Sequence, residues 1–324
     1  MARAIRFHEV GGPEVLQWEE VAVGAPGPGE ARIRHKAIGL NFIDTYHRSG
    51  LYPLPLPSGL GSEAAGTVEE IGSAVTEVSV GQRVAYAGGP LGAYSEVRLI
   101  PADRLVPLPR DVDDRTAAAI MLKGMTAQYL LRSTFRVGPG YTVLIHAAAG
   151  GVGLLACQWA QYLGATVIGT VSTEAKAELA MAHGCHHVIV TAREDIVGRV
   201  KAITGGSGVH VVYDSVGRDT WDASLDCLRP RGLMVSFGNA SGAVPPISPL
   251  VLSSKGSLFL TRPTLMSYTA SREELLACAG ELFEVVRQGV VKVRINQTYP
   301  LSDAATAHRD IQARRTTGST VLLP

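Results

Sequence analysis

Thr142-Val-Leu-Ile-His-Ala-Ala-Ala-Gly-Gly-Val-Gly-Leu154 is the stretch whose reading decides the fold. Its first four residues are apolar or β-branched and predict a short buried strand, with a glycine-rich corner directly behind it. From Leu154 an apolar helical pattern runs through Ala156, Cys157, Trp159 and Ala160 to Leu163. A dinucleotide fingerprint places small residues at 148, 150 and 153, where the chain has Ala148, Gly150 and Gly153. The first keeps the turn free of bulk, the second lets backbone approach a pyrophosphate, and the third lets the helix pack closely. Unpaired N–H groups at the helix start then face the phosphates. Gly-Gly also fills ordinary turns, so the context matters. The next strand, Ala165-Thr-Val-Ile-Gly-Thr-Val171, arrives on schedule for a βαβ unit.

The end of that second strand bears on the cofactor. An NAD site carries Asp or Glu about 20 residues past the glycines to accept from the ribose hydroxyls. Here the strand ends in Ser172-Thr173, followed by Lys176. Hydroxyls and an ammonium suit a 2′-phosphate that a carboxylate would repel, which predicts NADPH. Glu174 complicates the choice: turned inward it favours NAD, turned outward it is a solvated first-turn residue.

Working outward, strands are expected near 142–146, 166–171, 187–190, 209–213 and 232–237, with a last one over Ser257–Thr261. Strands alternating with helices predict a doubly wound parallel sheet of Rossmann type. Residues 1–122 read differently. Alternating segments such as Ala31–Ala37, Glu63–Ile71, Val80–Ala85 and Ala93–Leu99 are split by Gly/Pro clusters, the signature of a small, partly open barrel. Ala117–Leu131 reads as helix, break, helix, with Lys123-Gly-Met-Thr126 as the break and the domain crossover. After Pro263 a helix is expected over Arg272–Gln288 and a short strand around Val291–Ile295; the segment Asp303–Ile311 then leads to a terminal strand over Gly318–Leu323. This tail is expected to rejoin the first domain. The division is therefore 1–122 with 265–324, and 123–264.

The totals restrict the function. With 324 residues and 46% hydrophobic content the chain can build two cores, and a formal charge of +1 gives no electrostatic case for nucleic acid or an anionic membrane. No apolar run is long enough to span a bilayer. Cys157, Cys185, Cys227 and Cys278 are dispersed, consistent with a reduced, cytoplasmic protein.

Motifs spanning nearly the whole chain carry a family likeness: Gly39–Tyr46, Gly59–Gly66, His146–Gly153, Val212–Gly217, Val235–Gly242 and Thr317–Pro324. The chain resembles the zinc-independent medium-chain dehydrogenase/reductases, and most closely the zeta-crystallin-like NADPH:quinone oxidoreductases. That resemblance implies a GroES-like catalytic domain beside the Rossmann domain, NADPH as cofactor and a homodimer joined along Ser257–Thr261. Zinc-dependent members of the superfamily have Cys where this chain has Asn41 and His where it has Ser62, and no lobe of clustered cysteines follows. Neither Asn nor Ser replaces a thiolate or imidazole ligand, so no metal is expected. His186 and His187 are adjacent strand-end residues that would point to opposite sides.

The resemblance also assigns roles. Asn41, Tyr46, Tyr52 and Thr126 would line the nicotinamide and substrate cleft, together with Tyr129. Gly150, Gly151, Val152 and Gly153 would cradle the pyrophosphate. Ser172, Thr173 and Lys176 would bind the 2′-phosphate, with Arg314 contributing from the tail. Val216, Gly217, Phe237, Gly238 and Asn239 would flank the nicotinamide half. Thr191 stands where relatives carry a tyrosine near the adenosine, a departure that would weaken adenosine binding or shift the NADPH:NADH ratio. Plainer readings stand beside these: Asn41 as a loop-holding Asx residue, Tyr46 and Tyr52 as barrel-rim aromatics, Tyr129 as packing, Arg314 as a solvated charge. The activity implied is reduction of a quinone by NADPH, by hydride or single-electron transfer. Reduction of an activated C=C bond is the alternative, and nucleotide binding without turnover is the reading from a different class.

Overall fold

The computed structural model describes all 324 residues. The chain forms two compact units. One comprises Met1–Met125, Tyr268–Arg287 and Val293–Pro324; the other comprises Thr126–Ser267 and Gln288–Lys292.

The first unit opens with β1 (Ala2–Phe7), β2 (Gln17–Val21), β3 (Glu30–Leu40), α1 (Phe42–Arg48), β4 (Ser58–Gly59), β5 (Glu63–Ile71), β6 (Arg83–Ala87), β7 (Val97–Pro101) and β8 (Val106–Pro107). Helix α2 (Asp114–Tyr129) then carries the chain across the division. In the second unit follow β9 (Thr142–Ile145), α3 (Gly151–Tyr162), β10 (Thr166–Val171), α4 (Glu174–Met181), β11 (His187–Val190), α5 (Ile196–Ile203), β12 (Val209–Asp214), α6 (Trp221–Cys227), β13 (Leu228–Ser236), α7 (Leu250–Ser254) and β14 (Phe259–Thr261). Helix α8 (Leu265–Tyr268) leads back to the first unit, which is completed by α9 (Arg272–Arg287), β15 (Ile295–Pro300), α10 (Ala304–Gln312) and β16 (Ser319–Leu323).

Strands of the second unit pair in the order β11-β10-β9-β12-β13-β14, every neighbour parallel. The order reverses between β9 and β12, and in such sheets ligands bind beyond the carboxyl ends of the strands at that point. Strands buried on both faces read as continuous apolar runs, as Val143, Leu144 and Ile145 show with nearly no exposure. Below them Leu144, Ile168, Val212, Trp221 and Met234 share one core.

In the first unit, a three-stranded sheet β2-β1-β4 accompanies a larger sheet β15-β16-β3-β5-β6-β8, to which β7 adds by pairing with β3. Most of these pairs are antiparallel, and Phe7, Ile33, Ile38, Tyr86, Ile100 and Leu322 pack between them.

Three expectations need correction. Residues 117–131 do not break: α2 is one helix that passes into a π turn over Leu130–Thr134. Gly124 is small because Leu282 of α9 lies against it, and an added Cβ would sit 2.5 Å from Leu282 Cδ1. The strand expected around 291–295 starts at Ile295 and runs to Pro300. Helix α1 was not anticipated in the β-rich part, although Asn41 and Asp44 have the spacing of a capping box, and the structure closes one there.

Candidate functional site

In the second unit, β9 ends in a corner that Ala147 turns with positive φ (53°), and α3 begins after Gly150. Gly150 supplies no side-chain cap, so the first-turn N–H groups of Gly151, Val152 and Gly153 rely on a ligand or solvent. A Cβ on Gly153 would overlap the backbone of Ala147 and Ala148, so the third glycine serves close packing against the corner itself.

Beyond β10, Thr173 caps α4, its Oγ1 accepting from Lys176 N at 3.4 Å. Ser172 and Lys176 are half-buried beside it. Glu174 does not stand alone, because Arg193 Nη2 lies 2.9 Å from its Oε1 and offsets its charge. Thr191 turns its hydroxyl onto the Val171 carbonyl, 3.2 Å away. Arg314 belongs to the other unit, exposed just past α10 with φ 58°. Its neighbour Arg315 is the one that pairs with Asp310, at 3.2 Å.

The loops after β12 and β13 are held by Asp214, which sequence reading did not single out. Its Oδ1 accepts from Val216 N (2.8 Å) and Gly217 N (3.0 Å), and its Oδ2 from the hydroxyls of Thr220 and Ser224, both at 2.8 Å. Phe237 N donates to Asp214 O at 2.8 Å, and Ala240 N and Ser241 N to Ser215 O and Val216 O. Val216, Gly217, Phe237, Gly238 and Asn239 are thereby brought together. Behind them His146 bridges Thr170 Oγ1 and Ser224 Oγ, each at 2.9 Å, and burial holds its pKa below the usual histidine range. An acidic residue ending a buried strand was the signal for Asp214. Thr126, half-buried, and Tyr129, buried, lie on the part of α2 that belongs to this unit.

In the first unit, Asn41 caps α1 and is tied down from two directions. Its backbone N–H donates to Asp44 Oδ2 (2.9 Å). Tyr94 OH donates to the same oxygen (2.9 Å), His308 Nε2 faces Tyr94 OH (3.2 Å), and Arg48 Nη1 donates to His308 Nδ1 (3.0 Å). Arg48 as donor requires that His308 carry its proton on Nε2. Burial, with the Arg48 charge beside it, pushes His308 down to about 3, and burial pushes Asp44 up to about 7 against its hydrogen bonds. On the other side, Asn41 Nδ2 donates to Glu63 Oε2 (2.8 Å), which also accepts from Lys123 Nζ (2.8 Å), while Leu122 N donates to Glu63 Oε1 (2.7 Å). Tyr46 follows one turn along α1 and meets Tyr52 edge-on at 5.2 Å, with Phe42 and His47 completing the aromatic group. The structure thus gathers Asn41, Tyr46 and Tyr52.

Zinc does not fit here. Asn41 and Ser62 are not zinc ligands, Glu63 is committed to an ammonium and two N–H groups, and nowhere do three His, Cys, Asp or Glu side chains converge to hold a metal.

Comparison with known proteins follows these two halves. Residues 27–110 match the alcohol dehydrogenase GroES-like domain, and residues 151–283 match the family described as zinc-binding dehydrogenase. This combination defines the medium-chain dehydrogenase/reductase superfamily. A quinone oxidoreductase of Pseudomonas aeruginosa is 58% identical with all of both chains covered. The crystal structure of Escherichia coli quinone oxidoreductase complexed with NADPH superposes with a TM-score of 0.98 at 54% identity, again over all of both chains. A 2-haloacrylate reductase of a Burkholderia species is 52% identical over all of this chain and 99% of its own. The chain belongs to the quinone oxidoreductase family.

Proposed function

We propose that the protein reduces quinones with NADPH and without a metal. The observation that carries this reading is the state of Glu63, whose oxygens are occupied by Lys123, Asn41 and Leu122 where a Lewis acid would need open ligands. An acceptor must then arrive already electrophilic. A quinone does: adding hydride and a proton gives an aromatic hydroquinone, with the developing charge spread over two oxygens.

NADPH suits the residues present, and when bound it supplies the hydride. Gly151, Val152 and Gly153 offer N–H groups to the pyrophosphate, Gly150, whose own N–H donates to Ala147 O, lets the backbone approach it, and Ser172, Thr173 and Lys176 meet the 2′-phosphate, with Arg314 a further cation for it. With Arg193 on Glu174, the one carboxylate in that loop no longer opposes a phosphate. Thr191, turned back on Val171, leaves the adenosine without an aromatic partner there. Val216, Gly217, Phe237, Gly238 and Asn239 hold the nicotinamide half. Asn41, Tyr46, Tyr52, Thr126 and Tyr129 orient nicotinamide and acceptor, and the rate comes from proximity and orientation. On this reading residues 1–122 and 265–324 form the catalytic domain and 123–264 the NADPH-binding domain.

Two further features belong to the proposal. The edge strand β14 exposes Phe259 (62%) and Leu260, which supports a homodimer formed by strand pairing across a two-fold axis. All four cysteines are buried thiols outside any disulfide, and Cys185 Sγ donates to Cys157 Sγ at 3.4 Å, which supports the reducing cytoplasm. No helix is long and apolar enough to cross a membrane.

Oxidation of NADPH by 1,4-benzoquinone, with and without a chelator, tests the activity. A chelator-insensitive rate exceeding those with 2-alkenals and 2-haloacrylate is expected. Good turnover of the alkenes with poor turnover of quinones would reassign the protein to C=C reduction, and tight NADPH binding with no acceptor consumed would leave it a binding protein.

A further inference from the structure

Lys123 and Glu63 form an ion pair with side-chain exposures of 7% and 0%. Removing two charges from water costs several kcal/mol each, and such a pair stabilises a fold less than apolar side chains of the same volume do. Stability alone therefore does not account for it. The surroundings are shaped around it: a Cβ on Gly39 would overlap both Glu63 Oε2 and the Ala118 carbonyl, and Leu122 turns its N–H onto Glu63 from inside α2.

We propose that Lys123 and Glu63 are positioning residues that lock the Asn41 carboxamide as a hydrogen-bond acceptor. The assignment rests on hydrogen-bond chemistry. Ionised Glu63 has no hydrogen to give, so the amide atom 2.8 Å from Oε2 is Nδ2, whose other hydrogen points toward Gly39 O at 3.4 Å. Lys123 Nζ, a donor only, gives to the same oxygen. Asn41 therefore presents its carbonyl oxygen alone. That oxygen closes the capping box with Asp44 and keeps a second lone pair for a donor on a ligand. The matching ligand group is an N–H or O–H, such as a carboxamide or a hydroxyl, and a carbonyl meets no donor there. Without the pair, only the capping bond from Asp44 N orients the amide, and the orientation in which Nδ2 faces the ligand becomes accessible.

This inference rests on the placement of Asn41 at the reacting centre, and the test separates the two. The variants are Lys123→Met, the double variant Glu63→Met/Lys123→Met, and Asn41→Leu, each assayed for Tm, NADPH affinity by fluorescence, and kcat and KM for 1,4-benzoquinone. Lys123→Met strands a buried carboxylate and should lower Tm. The double variant should regain Tm, yet its kcat should stay about 10- to 100-fold low with NADPH affinity little changed, the range seen when outer-shell groups that orient metal ligands are removed. A double variant that regains both Tm and kcat would show the pair to be structural and overturn the inference. If the double variant does not fold, Glu63→Gln decides: one acceptor oxygen must then serve three donors, so kcat falls at least about tenfold, and an unchanged kcat overturns the inference. Wild-type turnover in Asn41→Leu would instead remove Asn41 from the reacting centre and with it the functional reading.

Discussion

The corner after β9 and the surroundings of Asn41 are built by opposite means. At Ala147–Gly153 the parts are backbone, consecutive in sequence, and shaped by the absence of side chains. Around Asn41 the parts are polar and charged side chains drawn from β5, α1, α2 and α10, 260 residues apart in the case of Arg48 and His308. A local corner tolerates little change of shape but is indifferent to distant residues. A network of buried polar groups depends instead on distant residues and fails when one partner is lost.

The largest expected effect is at the corner. Gly153→Val pushes a branched side chain into the Ala147–Ala148 backbone, and NADPH affinity should fall about 100-fold or more, read by fluorescence titration, or the unit should fail to fold. Near-normal affinity would show that the corner can give way. Next, Lys176→Ala should raise KM for NADPH by about tenfold, the worth of a charge-assisted hydrogen bond, with KM for NADH unmoved. Equal effects on both would mean that the ammonium does not read the phosphate.

A smaller effect concerns side-chain packing. Gly124→Ala gains about 1 kcal/mol of helix propensity but crowds Leu282, at a cost of about 1–3 kcal/mol. Net destabilisation in urea is expected, and a gain in stability would remove the packing explanation for the glycine. A further effect lies in the pH profile. His35, with Tyr86 and the Ser95 carbonyl on its nitrogens, is pushed by burial down to about 4, and His308 to about 3. Both bind fewer protons folded than unfolded, so their contributions are present above the ordinary pKa of 6.5 and are lost as pH falls toward 4 and 3. Asp44 runs the other way, its contribution present below 3.8 and lost as pH rises through about 7. Facing His308 are Arg48 and Tyr94, with Asp44 one bond further. His308→Gln should therefore reduce the acid slope of stability between pH 6 and 4 by about 1.4 kcal/mol per pH unit, one proton's worth. An unchanged slope would show that His308 is not held neutral.

Much of this molecule was readable before its structure. The six strands of the wound sheet, the glycine corner and the Ser172–Lys176 segment follow from period, turn residues and spacing, because parallel strands buried on both faces must be apolar and a phosphate cradle must be small and consecutive. The residues at the Asn41 end were readable as names through family likeness, but their partners were not. Lys123 read as part of a break, since a lysine inside an alanine-rich helix is ordinarily solvated, and the break dissolved because Gly124 answers to Leu282 rather than to the backbone. Glu174 is ambiguous in the sequence because its partner, Arg193, lies beyond the next strand. Local pattern determined the sheet, the corner and the residue types proposed to meet the phosphates, whose physics acts over a few neighbouring residues. The tertiary structure alone decided which buried charges meet, because hydrogen-bond pairing depends on distances of about 3 Å, which sequence separation does not encode.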